Sequence, residues 1–190
     1  MTRLLALAFL VSAPALAKDP VVVISTSKGE ITVQLDEKKA PVSVANFLAY
    51  VNEKHYDGTV FHRVIKNFMI QGGGFDEHLA QKGATHPPIK NEAGNGLLNK
   101  TGTLAMARTF IVDSATDQFF INAKDNAFLD HKSDAPQGFG YAVFGKVIKG
   151  LEVVRKIEAV ATQSKPSGDG VPLSDVPIET VTIKSVRLSR

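Results

Sequence analysis

Phe61-His62-Arg63-Val64-Ile65-Lys66-Asn67-Phe68-Met69-Ile70-Gln71-Gly72-Gly73 is the stretch on which both fold and chemistry turn. Val60–Ile65 and Phe68–Gln71 are rich in the apolar residue types that strands favour, and Lys66-Asn67 separates them, so two strands joined by a tight turn are predicted. Alternate residues of a strand share a face. That rule puts Phe61, Arg63 and Ile65 on one face and His62 and Val64 on the other; the second strand adds Phe68, Met69 and Gln71. A cation and an amide beside Phe and Met make an apolar pocket with two polar arms, the usual makeup of a ligand site. Pattern alone leans slightly the other way, towards plain core residues with Arg63 as a solvated or salt-bridged surface cation.

Upstream, Val21–Ile24 and the alternating Glu30–Leu35 flank Ser27-Lys28-Gly29, a hairpin signal. Pro41 suits the first position of a helix, and Val44, Phe47, Leu48 and Val51 recur at helical spacing, so Pro41 to about Asn52 is predicted helical. Downstream, Phe75 to Gly102 is rich in Gly, Pro, Asn, Lys and His and reads as one long ordered loop; loops of such length in a compact domain are usually functional or mobile. Short strands are expected at Thr103–Ala107, Gln118–Asn122 and Ala142–Ile148. A second helix is expected over Gly150–Ala159, a Ser/Gly/Pro-rich loop over Gln163–Asp175, and a closing strand over Thr180–Leu188. About eight short strands and two helices without βαβ alternation imply a mainly β fold: a closed, eight-stranded antiparallel barrel capped by two α-helices. An eight-stranded barrel packed with Val, Ile, Leu and Phe should be filled, which argues against a lipocalin-like carrier with an open lumen.

The N-terminus carries a different message. Arg3 gives a positive start, Leu4–Val11 an apolar run, and Ala15-Leu16-Ala17 a small-x-small cleavage pattern: a signal peptide over residues 1–17. The run is too short for a bilayer, which needs about 20 apolar residues. The mature domain is then 18–190, exported to the periplasm, and free of the membrane once the signal is removed. Its 173 residues suffice for one sizeable core. Formal net charge is +3 for the whole chain and +2 without Arg3, too small and too evenly scattered to argue for nucleic acid. Cysteine is absent, so packing alone holds the fold even in an oxidising compartment.

Most catalytic signatures are missing. Without cysteine, thiol chemistry is excluded. His55, His62, His78, His86 and His131 have no metal-ligand spacing, so no metal site is expected and all five read as surface or hydrogen-bonded groups. Gly72-Gly73-Gly74 lacks the Gly-Lys-Ser/Thr ending of a P-loop and the context of a dinucleotide fingerprint. Asn99-Lys100-Thr101 matches a glycosylation sequon, a weak pattern.

The opening stretch closely resembles the cyclophilin signature. Further matches follow in the family's order: Gly102–Arg108, Ser114–Asn122, Phe128-Leu129-Asp130 and Tyr141–Val147. The chain is thereby similar to cyclophilin-type peptidyl-prolyl cis/trans isomerases, and to their exported bacterial branch. The resemblance implies rotation about Xaa-Pro bonds of unfolded or extended polypeptides, assisting the folding of exported proteins. It implies no cofactor, and nothing in it calls for more than a monomer. It gives Arg63 the catalytic role of donating to the prolyl nitrogen, with Phe68 and Gln71 beside it. Met69, Phe120 and Leu129 join Phe68 as the proline pocket, Gln71 holds the substrate backbone, and Gln118 is a further polar position. The main chain around Ala107 and Arg108 pairs with the peptide. Three positions depart from the common pattern. Phe128 stands where many relatives have tryptophan, which implies weak cyclosporin binding. Arg108 stands in place of asparagine. Tyr141 stands in place of histidine, after an extra stretch near His131–Phe139. A non-catalytic peptide-binding module with the same barrel is the alternative.

Overall fold

Val21–Thr26 (β1) and Gly29–Leu35 (β2) form the predicted hairpin in a computed structural model that describes residues 19–189. The expected signal peptide lies outside the described residues. Along both strands buried and partly exposed residues alternate, with Val22, Ile24, Ile31, Val33 and Leu35 fully inside. Pro41–Asn52 (α1) starts at its proline. Ala40 offers no side-chain cap, and the free N–H groups of Val42 and Ser43 donate instead to the Glu92 carboxylate, 3.1 and 2.8 Å away. A distant loop thus satisfies orphan donors and places a negative charge at the positive end of the helix.

The predicted strand Val60–Ile65 is two strands. Thr59–Val60 (β3) and Arg63–Ile65 (β4) are interrupted at Phe61-His62. Phe61 N donates to Val181 O (2.9 Å), and the Phe61 ring turns inwards, 1 % exposed. Phe61 therefore does not share the face of Arg63 and Ile65, as strict alternation would have it, because the break shifts the alternation between the two pieces. Met69–Gly72 (β5), Thr103–Met106 (β6), Phe119–Asn122 (β7) and Val143–Lys149 (β8) follow. The second helix is Leu151–Glu158 (α2), which buries Val153, Val154 and Ile157. Thr162–Pro166 (β9) and Pro172–Pro177 (β10) pair as a separate hairpin, and Thr182–Leu188 (β11) closes the chain.

The main sheet has nine antiparallel strands in the order β3-β11-β1-β2-β8-β6-β7-β5-β4. The count exceeds the expected eight because the stretch 59–65 is broken, so each piece occupies one end of the curled sheet. The Ser/Gly/Pro-rich segment expected as loop is the β9–β10 hairpin. Thr162–Pro166 carries no hydrophobic alternation, and β9 is exposed throughout. The inner face of the sheet and both helices enclose a filled core. Phe47 packs on Tyr56, Phe119 and Phe144 with ring centroids 5.1–5.5 Å apart.

Candidate active site

Strand register decides which side chains meet. Across β4, β5, β7, β6 and β8 the Cα partners run Arg63↔Gln71↔Phe120↔Ala105↔Val143. The adjacent row is Val64↔Ile70↔Ile121↔Leu104↔Gly145. The second row points into the core. The first points to the outside of the curled sheet, where Met69, Phe120 and Leu129 join Ala105 and Val143 in a separate small apolar cluster. Phe68, Ile65, Ala107 and Tyr141 pack against that cluster.

A cavity of about 110 Å³ opens there, lined by Arg63, Phe68, Met69, Gln71, Ala107, Arg108, Phe120, Leu129 and Tyr141. It suits one small ring rather than a large ligand. Nine of the eleven residues singled out in the sequence line it. The other two flank it. Gln118 Oε1 accepts from Gln71 Nε2 (3.0 Å) and lines a neighbouring cavity with Gln71, Ala107 and Arg108. Phe128, 63 % exposed, stacks on Phe68 with centroids 5.5 Å apart. The glycine run acquires its reason here: a Cβ on Gly74 would lie 2.5 Å from Gln118 Cγ, so only glycine leaves room for that side chain.

Arg108 folds back onto the protein. Its Nε donates to Gly140 O (3.0 Å), Nη1 to Thr109 O (3.0 Å), and its guanidinium lies 4.8 Å from the Tyr141 ring centroid. The Ala107 N–H donates to Gln118 O (2.9 Å).

Sequence reasoning missed the groups behind the cavity. Asn126 Nδ2 donates to Phe68 O (2.9 Å) and to Asn122 Oδ1 (2.8 Å). Asn122 Nδ2 donates to Asn99 Oδ1 (3.2 Å), and Asn99 Nδ2 to Leu129 O (3.2 Å) and Asp130 Oδ1 (3.1 Å). All three asparagines are at most 1 % exposed. This buried chain ties the Phe68 wall to the Leu129 wall. It also closes the sequon: Asn99 is inside, with its amide occupied. Three asparagines within 99–126 were the available signal, but polar side chains read as loop when their partners are unknown. Asp175 was missed too; its Oδ2 lies 3.8 Å from Arg63 Nε.

Of two buried histidines, His55 meets the expectation made for all five and His62 corrects it. His55, 6 % exposed, bonds Asp117 Oδ2 at 2.9 Å. Burial alone would raise the Asp117 pKa, but hydrogen bonds from His55 and Thr116 outweigh it and hold the carboxyl below its usual value. His62 is neither at the surface nor satisfied. It is 5 % exposed, its Nδ1 has no partner among the described residues, and its ring lies 4.5 Å from that of Phe75. Burial, then the neighbouring Arg63 charge, lowers its pKa to about 4.

Comparison with known proteins gives the family. The family model for "Cyclophilin type peptidyl-prolyl cis-trans isomerase/CLD" matches residues 21–187. Peptidyl-prolyl cis-trans isomerase A of Dickeya dadantii is 54 % identical over 88 % of this chain and 83 % of its own. Peptidyl-prolyl cis-trans isomerase B of Escherichia coli is 53 % identical over 83 % of this chain and 96 % of its own. A crystal structure of a Cryptosporidium parvum cyclophilin type isomerase, determined in the presence of the dipeptide Ala-Pro, superposes with a TM-score of 0.71 at 26 % identity, covering 90 % of this chain and 99 % of that one. The chain belongs to the cyclophilin-type peptidyl-prolyl cis-trans isomerases, and the reaction it catalyses is rotation about the Xaa-Pro peptide bond.

Proposed function

We propose that Arg63 is the catalytic group and that the apolar cavity beside it holds the proline ring. The observation that carries this reading is the register row that sets Arg63 next to Gln71 and Phe120 on the rim of that cavity. Rotation about the Xaa-Pro bond faces a barrier of about 18–20 kcal/mol because the C–N bond has partial double-bond character. No covalent bond breaks, so neither a nucleophile nor a metal is required. The prolyl nitrogen offers a lone pair only when the amide is twisted. A guanidinium N–H that donates to it then binds the twisted state better than either planar state, which is the condition for catalysis. Phe68, Met69, Phe120 and Leu129 grip the ring while the preceding carbonyl turns. Gln71, steadied by Gln118, holds the substrate backbone, and the carbonyl of Ala107 takes an N–H of the peptide. The dipeptide Ala-Pro used with the Cryptosporidium relative supports proline-containing chains as the substrate class.

The client proteins are exported polypeptides, and the compartment is the periplasm. Arg3, the apolar Leu4–Val11 and Ala15-Leu16-Ala17 support this. The enzyme acts as a monomer, without nucleic acid or membrane partners. Counting β3 and β4 as one kinked strand makes the sheet an eight-membered ring closed at Phe61-His62; the two-residue gap between them supports that count. The test is cis/trans exchange of an Ala-Pro peptide followed by NMR, with the native protein and with Arg63→Ala. A large loss of exchange with the fold retained is expected. Equal exchange in both proteins overturns the assignment of Arg63.

A further inference from the structure

We propose that Asp175 is a positioning residue for Arg63, and that the β9–β10 hairpin exists in part to aim it. This rests on Arg63 being the catalytic group.

Three observations converge. The first is the ion pair: Asp175 Oδ2 lies 3.8 Å from Arg63 Nε, both side chains about 40 % exposed. It engages the Nε edge of the guanidinium. Among the described residues the Arg63 Nη groups donate no hydrogen bond, so they stay free to face the cavity that Arg63 lines. The second is backbone geometry. Asp175 sits at φ +59, a conformation that costs most residues other than glycine, and the pairing of β10 with β9 slips between Leu173 and Val176. A bulge of this kind re-aims a side chain, and bulges gather beside functional sites. The third is anchoring on both sides of the bulge. Val176, 4 % exposed, packs with Val60 and Leu79, and Leu173 packs against the same cluster. At the hairpin tip Gly168 N donates to Leu79 O (2.8 Å), and a Cβ there would lie 3.0 Å from Ala80 Cα. The hairpin is therefore fixed at its tip and at its base, with Asp175 held between the fixed points.

An exposed ion pair adds little to stability. Its value here is orientation. Arginine has many rotamers, and a misplaced guanidinium loses its hydrogen bond to the transition state even when substrate is bound. Asp175 restricts Arg63 to the rotamers that present the Nη groups to the cavity. Removing the charge therefore lowers kcat and leaves KM nearly unchanged.

The test uses the mature protein with Asp175→Asn and Asp175→Gly, both of which tolerate the positive φ. Exchange of an Ala-Pro peptide is measured by NMR line shapes to separate kcat from KM, at low and high salt. A three- to tenfold fall in kcat at low salt is expected in both variants, with KM and melting temperature within error of native. High salt should bring native kcat down towards the variants and leave the variants unchanged. In the Arg63→Ala background, Asp175→Asn should have no further effect, since Asp175 acts through Arg63. Native kcat in the Asn and Gly variants at low salt overturns the proposal, and so does a change in KM alone, which marks a direct substrate contact. If Arg63→Ala itself keeps native exchange, the underlying reading of Arg63 fails, and that result is distinct from either of these.

Discussion

Two rows of side chains cross the same strands one residue apart and do opposite things. The inner row, Val64, Ile70, Ile121 and Leu104, is at most 1 % exposed and fills the core. The outer row, Arg63, Gln71 and Phe120, lines the cavity proposed to hold proline. A one-residue slip in register would exchange them and remove both core and site together. The cavity proposed as the active site thus lies on the outside of the protein's own hydrophobic wall, with the core directly behind it.

Predictions follow by separating the two rows. Ile121→Ala should cost about 2–5 kcal/mol of stability, as buried large-to-small changes do, while the folded fraction keeps near-native exchange; denaturant melts and NMR exchange on the same sample read both. If turnover falls as steeply as stability, the rows are not separable. His62 tests the break between β3 and β4, where its ring is buried against Phe75. Its folded pKa of about 4 lies below the 6.5 of the unfolded chain, so it favours folding fully above pH 6.5 and loses that contribution as pH falls towards 4. The loss amounts to about 3 kcal/mol. His62→Leu should flatten the difference between melts at pH 7 and pH 4.5, and an unchanged difference would falsify the role of burial. Arg63→Ala is the mirror of Ile121→Ala: about a 100-fold loss of kcat/KM, roughly 2.7 kcal/mol of transition-state stabilisation, with melting temperature near native. The smallest effect is expected at Asn126, which lies behind the cavity. Asn126→Ala leaves Asn122 Oδ1 without its donor and loosens Phe68. It should lower stability by about 1–3 kcal/mol and raise KM a few-fold, measured by melts and by peptide titration. A variant with reduced kcat and native KM would contradict the pocket-wall role.

Much of the site was legible because it is local. Arg63, Phe68, Met69 and Gln71 fall within nine residues, and the structure brings all four to one cavity. The families of partners that support them were not legible. The asparagine chain joins residues 68, 99, 122, 126 and 129, and nothing in the identity of an isolated asparagine says whether its amide meets water or a buried carbonyl.

The sequence by itself determined the strands, both helices, the pairing of a cation and an amide with an apolar pocket, and the family, because periodicity and ordered motifs are written along the chain. Tertiary structure alone decided the break at Phe61-His62, the turning of Phe61 into the core, the β9–β10 hairpin and the meeting of Asp175 with Arg63. Each of those depends on a partner more than a hundred residues away or on a backbone slip, and the free energy that selects them exists only once the distant strands are side by side.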